Sequence, residues 1–107
     1  MNKINLSNKV AIVTGGAQGF GLAISKKFIE SGANVIIWDI DQKASDSALK
    51  IINSKGCTNQ NVDVTDFSSI EKNLKEVEAQ HKKIDIFVNN AGITGMNAKV
   101  WEYPNDE

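Results

Sequence analysis

The chain has 107 residues, which suits one domain and is too short for two of ordinary size. Hydrophobic residues make up 41% of it and charged residues 23%, a balance that is typical of a globular protein and excludes a disordered chain. Twelve basic and thirteen acidic residues leave a net charge of −1, which argues against a nucleic-acid partner.

Cysteine, histidine and apolar runs exclude three further classes. The single cysteine, Cys57, cannot form an internal disulfide, and with the single histidine, His81, it cannot complete a zinc site. No segment approaches the roughly 20 consecutive apolar residues of a membrane span. We therefore expect a cytoplasmic protein with no metal and no membrane contact.

The first half of the chain predicts two strand–helix units. Val10–Val13 is a continuous apolar run, typical of a parallel strand buried on both faces. Apolar residues at helical spacing follow over Ala23–Ile29. A second apolar run, Asn34–Trp38, predicts the next strand. The stripe from Ala44 to Ile52 then predicts a second helix, which we expect to end at Gly56.

The second half predicts a third unit and a fourth strand. The segment Cys57–Val64 is a weak strand candidate, because polar residues dilute its apolar pattern. Asp66 is a good N-cap for a helix whose apolar face runs from Phe67 to Val77. The apolar run Ile84–Val88 predicts the last strand.

The alternating order β-α-β-α-β-α-β predicts an α/β fold of the Rossmann type. Parallel strands need crossover helices of this length, so we expect a doubly wound parallel sheet of about four strands in the order 3-2-1-4. Residues 1–92 would form this dinucleotide-binding unit. Residues 93–107 match neither period and are predicted to be a tail. Strand 4 would then keep an open edge, which predicts self-association or a homo-oligomer.

A glycine-rich turn, Thr14 to Gly21, separates the first strand from the first helix. Glycine permits positive φ, and it lets backbone N–H groups approach a phosphate at the positive end of the helix. A plain structural turn is the alternative, but the position between a strand and a helix favours phosphate binding. Leu22 and Ala23 follow Gly21 where a P-loop would need Lys and Ser or Thr, which excludes a P-loop.

Asp39 ends the second strand, 18 residues after Gly21. This is close to the spacing at which a carboxylate accepts hydrogen bonds from an adenosine ribose. The same carboxylate would repel a 2′-phosphate, and neither Gln18 nor Ile40 is a basic residue that could hold one. The position predicts NAD in preference to NADP. The alternative is that Asp39 caps the following helix.

Two further polar segments follow strands. Asp63 and Val64 end the weak third strand and could flank an adenine, although an ordinary strand-ending Asp explains the spacing equally well. The fourth strand is followed by Asn89-Asn90-Ala91-Gly92, in which the small residues leave room for a nucleotide above the sheet. Taken alone, this segment would indicate a turn.

Together these motifs resemble the classical short-chain dehydrogenase/reductase family, and the tail resembles that of its oxoacyl reductase-like members. The resemblance implies a dinucleotide cofactor and indicates which residues would hold each part of it. The implied pyrophosphate residues are Gly15, Gln18, Gly19 and Phe20; Asp39 would hold the ribose, Asp63 and Val64 the adenine, and Asn90, Ala91 and Gly92 the nicotinamide-side ribose.

The same resemblance implies which residues to expect for catalysis. The family uses a Ser and a Tyr-x-x-x-Lys pair, whereas the only tyrosine here, Tyr103, is followed four residues later by Glu107. We therefore expect no catalytic residue in this chain. It is interpreted as the NAD-binding half of an oxidoreductase that interconverts secondary alcohols and ketones, with the substrate bound only if the catalytic half is present. A non-catalytic nucleotide-binding module and a decayed, truncated gene product are the alternatives.

Overall fold

The computed structural model of the chain describes residues 5–90 and the strand at residues 99–102. Up to the fourth strand, strands and helices alternate in the predicted order. The elements are β1 (Val10–Thr14), α1 (Gly19–Glu30), β2 (Asn34–Asp39), α2 (Gln42–Ile52), β3 (Cys57–Asn61), α3 (Phe67–His81), β4 (Ile86–Asn89) and β5 (Lys99–Glu102).

The strands form one sheet in the order β3-β2-β1-β4-β5. The first four are parallel, which confirms the predicted order 3-2-1-4. Thr14 at the end of β1 is in register with Trp38 near the end of β2, and Asp39 is in register with Asn61 of β3. The segments that follow these strands therefore meet at one edge of the sheet, where doubly wound folds bind their ligands.

Strand β5 was not predicted; it lies within residues 93–107, whose sequence matched neither a strand nor a helix period. Its four residues pair antiparallel with β4, from Ile86 opposite Glu102 to Asn89 opposite Lys99. Backbone hydrogen bonds define a short edge strand, so it needs no apolar run that a sequence pattern could detect. The expectation of an open edge on β4 was wrong. Self-association of the chain stays a prediction, but an open edge on β4 no longer supports it.

The central strands are buried on both faces, as their apolar runs predicted. All five residues of β1 are buried, and alternate ones face opposite layers. Ala11 and Val13 belong to the cluster that packs against α1 and α2. Val10 and Ile12 belong to the cluster that packs against α3. Strand β3 is polar, and among the described strands it pairs only with β2, a position at the edge of a sheet where polar residues are common.

Helix ends follow local side-chain chemistry. Asp66 caps α3 as predicted, because its carboxylate accepts hydrogen bonds from the N–H groups of Ser68 and Ser69. Helix α2 ends at Asn53 and not at Gly56: Asn53 has a φ of 49°, a left-handed conformation that asparagine tolerates better than most residues. None of the helices in the described part of the chain is long and apolar enough to cross a membrane.

The thiol of Cys57, the first residue of β3, lies in the core. Burial raises the pKa of this thiol to about 11 from its ordinary value of 9.0. A pKa that is raised in the folded state means that the neutral thiol favours folding at a pH below about 9. This contribution is lost as the pH rises from about 9 to about 11.

We therefore expect iodoacetamide at pH 8 to modify the native protein about a hundredfold more slowly than the urea-unfolded protein, since the thiolate is the reactive form. The rate is followed by mass spectrometry. Equal rates in the two states would contradict burial of Cys57.

Candidate dinucleotide-binding site

A cavity of about 260 Å³ opens where β1, β2 and the segment after β3 end. It brings together four residues that the sequence predicted for the site: Gly15, Asp39, Asp63 and Val64. The remaining lining residues were not predicted for the site; they are Trp38, Ile40, Val62 and Thr65.

The turn between β1 and α1 uses its glycines in two ways. Gly15 and Gly19 have φ angles of 62° and 51°, a left-handed conformation that glycine adopts without strain. Gly16 and Gly21 are needed for close packing instead. A Cβ atom on Gly16 would lie 2.8 Å from the carbonyl oxygen of Val13, and one on Gly21 would overlap the carbonyl oxygen of Gly15. The turn is therefore held compactly against the end of β1.

Ser25 of α1 helps to hold the glycine-rich turn in place, a role that was not predicted from the sequence. Its buried hydroxyl lies 2.9 Å from the carbonyl oxygen of Gly21 and 3.3 Å from that of Gly16. A serine one turn after Gly21 in the helical pattern was the available signal, because a serine hydroxyl commonly bonds to a carbonyl four residues earlier in a helix.

The first turn of α1 is open toward solvent. Gln18 is the N-cap residue, and among the described residues no side chain caps this helix, whereas Asp41 and Asp66 cap α2 and α3. Gln18 and Gly19 are exposed, and Phe20 is 48% exposed. The first N–H groups of a helix carry a partial positive charge, so this end suits an anionic group such as a phosphate.

Asp39 connects the end of β2 to the glycine-rich turn. Its side chain is only 8% exposed. One carboxylate oxygen accepts a hydrogen bond from the Asp41 N–H at 3.0 Å, and the other accepts one from the Ala17 N–H at 3.3 Å. Each carboxylate oxygen retains a further lone pair. No Lys or Arg forms an ion pair with Asp39 within residues 5–90.

The alternative interpretation of Asp39, as the cap of α2, is not what the geometry shows. The N-cap of α2 is Asp41, whose carboxylate accepts a hydrogen bond from the Ala44 N–H at 3.0 Å. Asp39 is therefore free of the capping role and lines the cavity.

Asp63 lies two residues beyond the end of β3, beside Val64 at the cavity. Its carboxylate accepts hydrogen bonds from the hydroxyl of Thr65 at 2.6 Å and from the Thr65 N–H at 2.9 Å. These two bonds lower the pKa of the Asp63 carboxyl below its ordinary value. The cavity therefore holds a second anionic acceptor at neutral pH.

Asn90 joins the end of β4 to the same turn. Its N–H donates a hydrogen bond to the buried hydroxyl of Thr14 at 2.7 Å, and its side-chain amide donates to the carbonyl oxygen of Gly15 at 3.4 Å. The Thr14 hydroxyl in turn donates to the carbonyl oxygen of Val88. Thr14 stands in the predicted motif, but its role in linking β1 to β4 was not foreseen. Ala91 and Gly92 lie outside the described residues.

The chemistry of the site fits a dinucleotide. An uncapped helix start suits the pyrophosphate, a buried carboxylate suits ribose hydroxyls, and the cavity is large enough to take a heterocyclic base. In contrast, the described residues contain no group of three or more His, Cys, Asp or Glu that could hold a metal ion.

The fold is that of a doubly wound α/β protein, with a candidate ligand site at the carboxyl ends of its parallel strands. The family model for short chain dehydrogenases matches residues 9–106, and the chain belongs to the short-chain dehydrogenase family, whose N-terminal part it represents. This confirms the resemblance inferred from the glycine-rich turn, Asp39 and the Asn89–Gly92 segment.

Characterised relatives include two bacterial enzymes. The chain is 42% identical over 97 residues to a 3-oxoacyl-acyl-carrier-protein reductase, FabG, of Chlamydia muridarum, covering 88% of this chain and 39% of that protein. It is also 42% identical over 89 residues to an NAD-dependent glycerol dehydrogenase of Listeria innocua, covering 83% of this chain and 35% of that protein. The chain thus spans less than half the length of these relatives.

A solved structure of a 3-ketoacyl-(acyl-carrier-protein) reductase from Brucella melitensis, in complex with NADH, has a similar fold. Its TM-score with this chain is 0.77 at 31% sequence identity, and the match covers 83% of this chain and 36% of that protein.

Proposed function

We propose that this chain binds NAD as the cofactor-binding part of an oxidoreductase that interconverts a secondary alcohol and a ketone. The observation that carries the proposal is the position of Asp39, a buried carboxylate at the carboxyl end of β2 that lines the cavity and has no basic partner in the described chain. When bound, the nicotinamide ring would give up or accept the hydride.

In this proposal each part of the dinucleotide has its own residues. Asp39 accepts hydrogen bonds from the two hydroxyls of the adenosine ribose, while Asp63 and Val64 flank the adenine at the other wall of the cavity. The pyrophosphate lies over Gly15, Gln18, Gly19 and Phe20, and Asn90, Ala91 and Gly92 approach the nicotinamide-side ribose. An NADH complex of the Brucella protein and the NAD dependence of the Listeria enzyme support this arrangement.

The preference for NAD over NADP follows from charge. A 2′-phosphate would place two negative charges against the Asp39 carboxylate in a site of reduced dielectric, where like charges repel more strongly than in water. Ile40, the next residue, is 63% exposed and apolar, so it offers no compensating positive charge.

The Asp39→Asn variant tests this assignment. We expect it to bind NADH about tenfold more weakly than the unmodified protein, because a charged acceptor of ribose hydroxyls is lost, and to bind NADPH no more weakly. The dissociation constant for NADPH divided by that for NADH, both measured by calorimetry, should therefore fall by about tenfold or more. Asp46→Asn, which removes an exposed carboxylate on α2, is the matched control and should leave both constants unchanged.

Two results would count against the proposal. Equal affinity of the unmodified protein for NADH and NADPH would contradict the preference for NAD. If the protein bound neither compound, the proposal that it binds a dinucleotide would be wrong. The activity is tested separately, by supplying NAD and a panel of secondary alcohols to the protein and following absorbance at the reduced-nicotinamide band. Because residues 1–107 contain no Tyr-x-x-x-Lys pair, we expect this chain to bind NADH without turnover of the alcohols. That result agrees both with the cofactor-binding part of an oxidoreductase and with a non-catalytic nucleotide-binding module.

A further inference from the structure

Gln60 is a polar residue inside a strand, and the dinucleotide site as described does not use it. It lies in β3, in register with Trp38 of β2. Its side-chain oxygen accepts a hydrogen bond from the Trp38 indole N–H at 2.8 Å. Its amide nitrogen donates to a carboxylate oxygen of Glu76 at 3.0 Å and to the carbonyl oxygen of Asn73 at 3.4 Å. The Gln60 amide thus joins Trp38 to α3: its oxygen accepts from the indole, and its nitrogen donates twice to the helix.

Trp38, the residue that Gln60 holds, is fully buried. Its ring packs edge-on against Phe87 of β4, with ring centroids 5.5 Å apart and planes at 85°. A buried indole N–H needs an acceptor, because leaving it without one costs free energy. The Phe87 contact places the ring and the Gln60 bond orients it.

Several features of the cavity depend on Trp38. It lines the cavity itself, and its carbonyl oxygen accepts the N–H of Gly15 at 2.7 Å, the first contact of the glycine-rich turn. The next residue in the chain is Asp39. A change in the orientation of the Trp38 side chain would therefore alter the wall of the cavity beside the start of the turn and beside Asp39.

We propose that Gln60 is a positioning residue for the adenosine end of the dinucleotide, acting through Trp38. This inference rests on the proposed function, because it concerns the same cavity. The proposal gives one polar residue of β3 a function: the Gln60 side chain holds Trp38 in place from outside the cavity. Gln60 makes no contact with the ligand in this proposal.

The test compares ligands that report on the two ends of the dinucleotide. In the Gln60→Leu variant of the protein, we expect ADP-ribose to bind about tenfold more weakly and nicotinamide mononucleotide to bind unchanged, because the effect is confined to the adenosine end. Calorimetry measures both constants. Gln80→Leu makes the same chemical change on the exposed surface of α3 and should leave both constants unchanged.

A charge-exchange pair provides the rescue. Gln60→Glu keeps an acceptor for the indole N–H but places a second carboxylate against Glu76, and we expect weaker ADP-ribose binding. Adding Glu76→Gln restores a donor to that contact, so the double variant should bind ADP-ribose within about threefold of the unmodified protein. This pair also decides the question if Gln60→Leu fails to fold.

Different results overturn different statements. If Gln60→Leu lowers the melting temperature but binds ADP-ribose as tightly as the unmodified protein does, Gln60 is structural only and the positioning role is wrong. If Gln60→Glu and the double variant bind ADP-ribose equally, the role is also wrong. If the unmodified protein binds no ADP-ribose, the proposed function itself fails, and this is visible before any variant is made.

Discussion

Replacing Gly21 with alanine is expected to weaken dinucleotide binding about a hundredfold. The added methyl group would overlap the carbonyl oxygen of Gly15 and lie 2.8 Å from the side-chain nitrogen of Asn90. A backbone oxygen cannot rotate away as a flexible side chain can, so the glycine-rich turn must shift. A displacement of about 1 Å in a group that positions a ligand can weaken the function of the site roughly a hundredfold. We expect NADH affinity to fall by about that factor, with a loss of about 3 kcal/mol in the free energy of unfolding.

Gly19→Ala is the matched control for this substitution. Its Cβ would meet no atom within 4 Å, so its cost comes from the positive φ of 51° alone. That strain amounts to about 1–2 kcal/mol. Urea unfolding of both variants separates the two causes. If the two variants lose equal stability, close packing of the turn is not what requires glycine at position 21.

Trp38→Ala should cause the largest loss of stability among single substitutions in the described chain. The side chain is fully buried in the cluster between the sheet and α3, and its removal leaves a large cavity and an unpaired Gln60 oxygen. Removal of a buried tryptophan costs about 3–5 kcal/mol. For a domain of about 100 residues, 1 kcal/mol lowers the melting temperature by about 4–8 °C, so a fall of at least about 12 °C is expected.

Phe67→Ala provides the comparison for this loss. Phe67 is also aromatic but 74% exposed at the start of α3, so its truncation should change the free energy of unfolding by less than about 0.5 kcal/mol. Urea unfolding of the two variants gives both values. A small effect of Trp38→Ala would mean that Trp38 does not lie in the core, and the positioning role of Gln60 would lose its basis.

The candidate site could be predicted in part because its main residues follow strands that are themselves evident in the sequence. Asp39 follows a run of buried apolar residues, and all parallel strands end at the same edge, so its place near the glycine-rich turn did not depend on knowing the structure. The opposite holds for Gly16 and Gly21. The sequence presents four glycines in one turn, and only the distances to Val13 and Gly15 distinguish those needed for packing from those needed for positive φ.

The order of the four parallel strands, the three helices and the family could be predicted from the sequence, because burial on both faces of a parallel strand leaves a continuous apolar run and a crossover helix leaves a 3.6-residue period. Tertiary structure was needed to show the pairing of β5 with β4 and the contact between Gln60 and Trp38. Both depend on hydrogen bonds between residues of different strands, and such contacts leave no periodic pattern in the sequence.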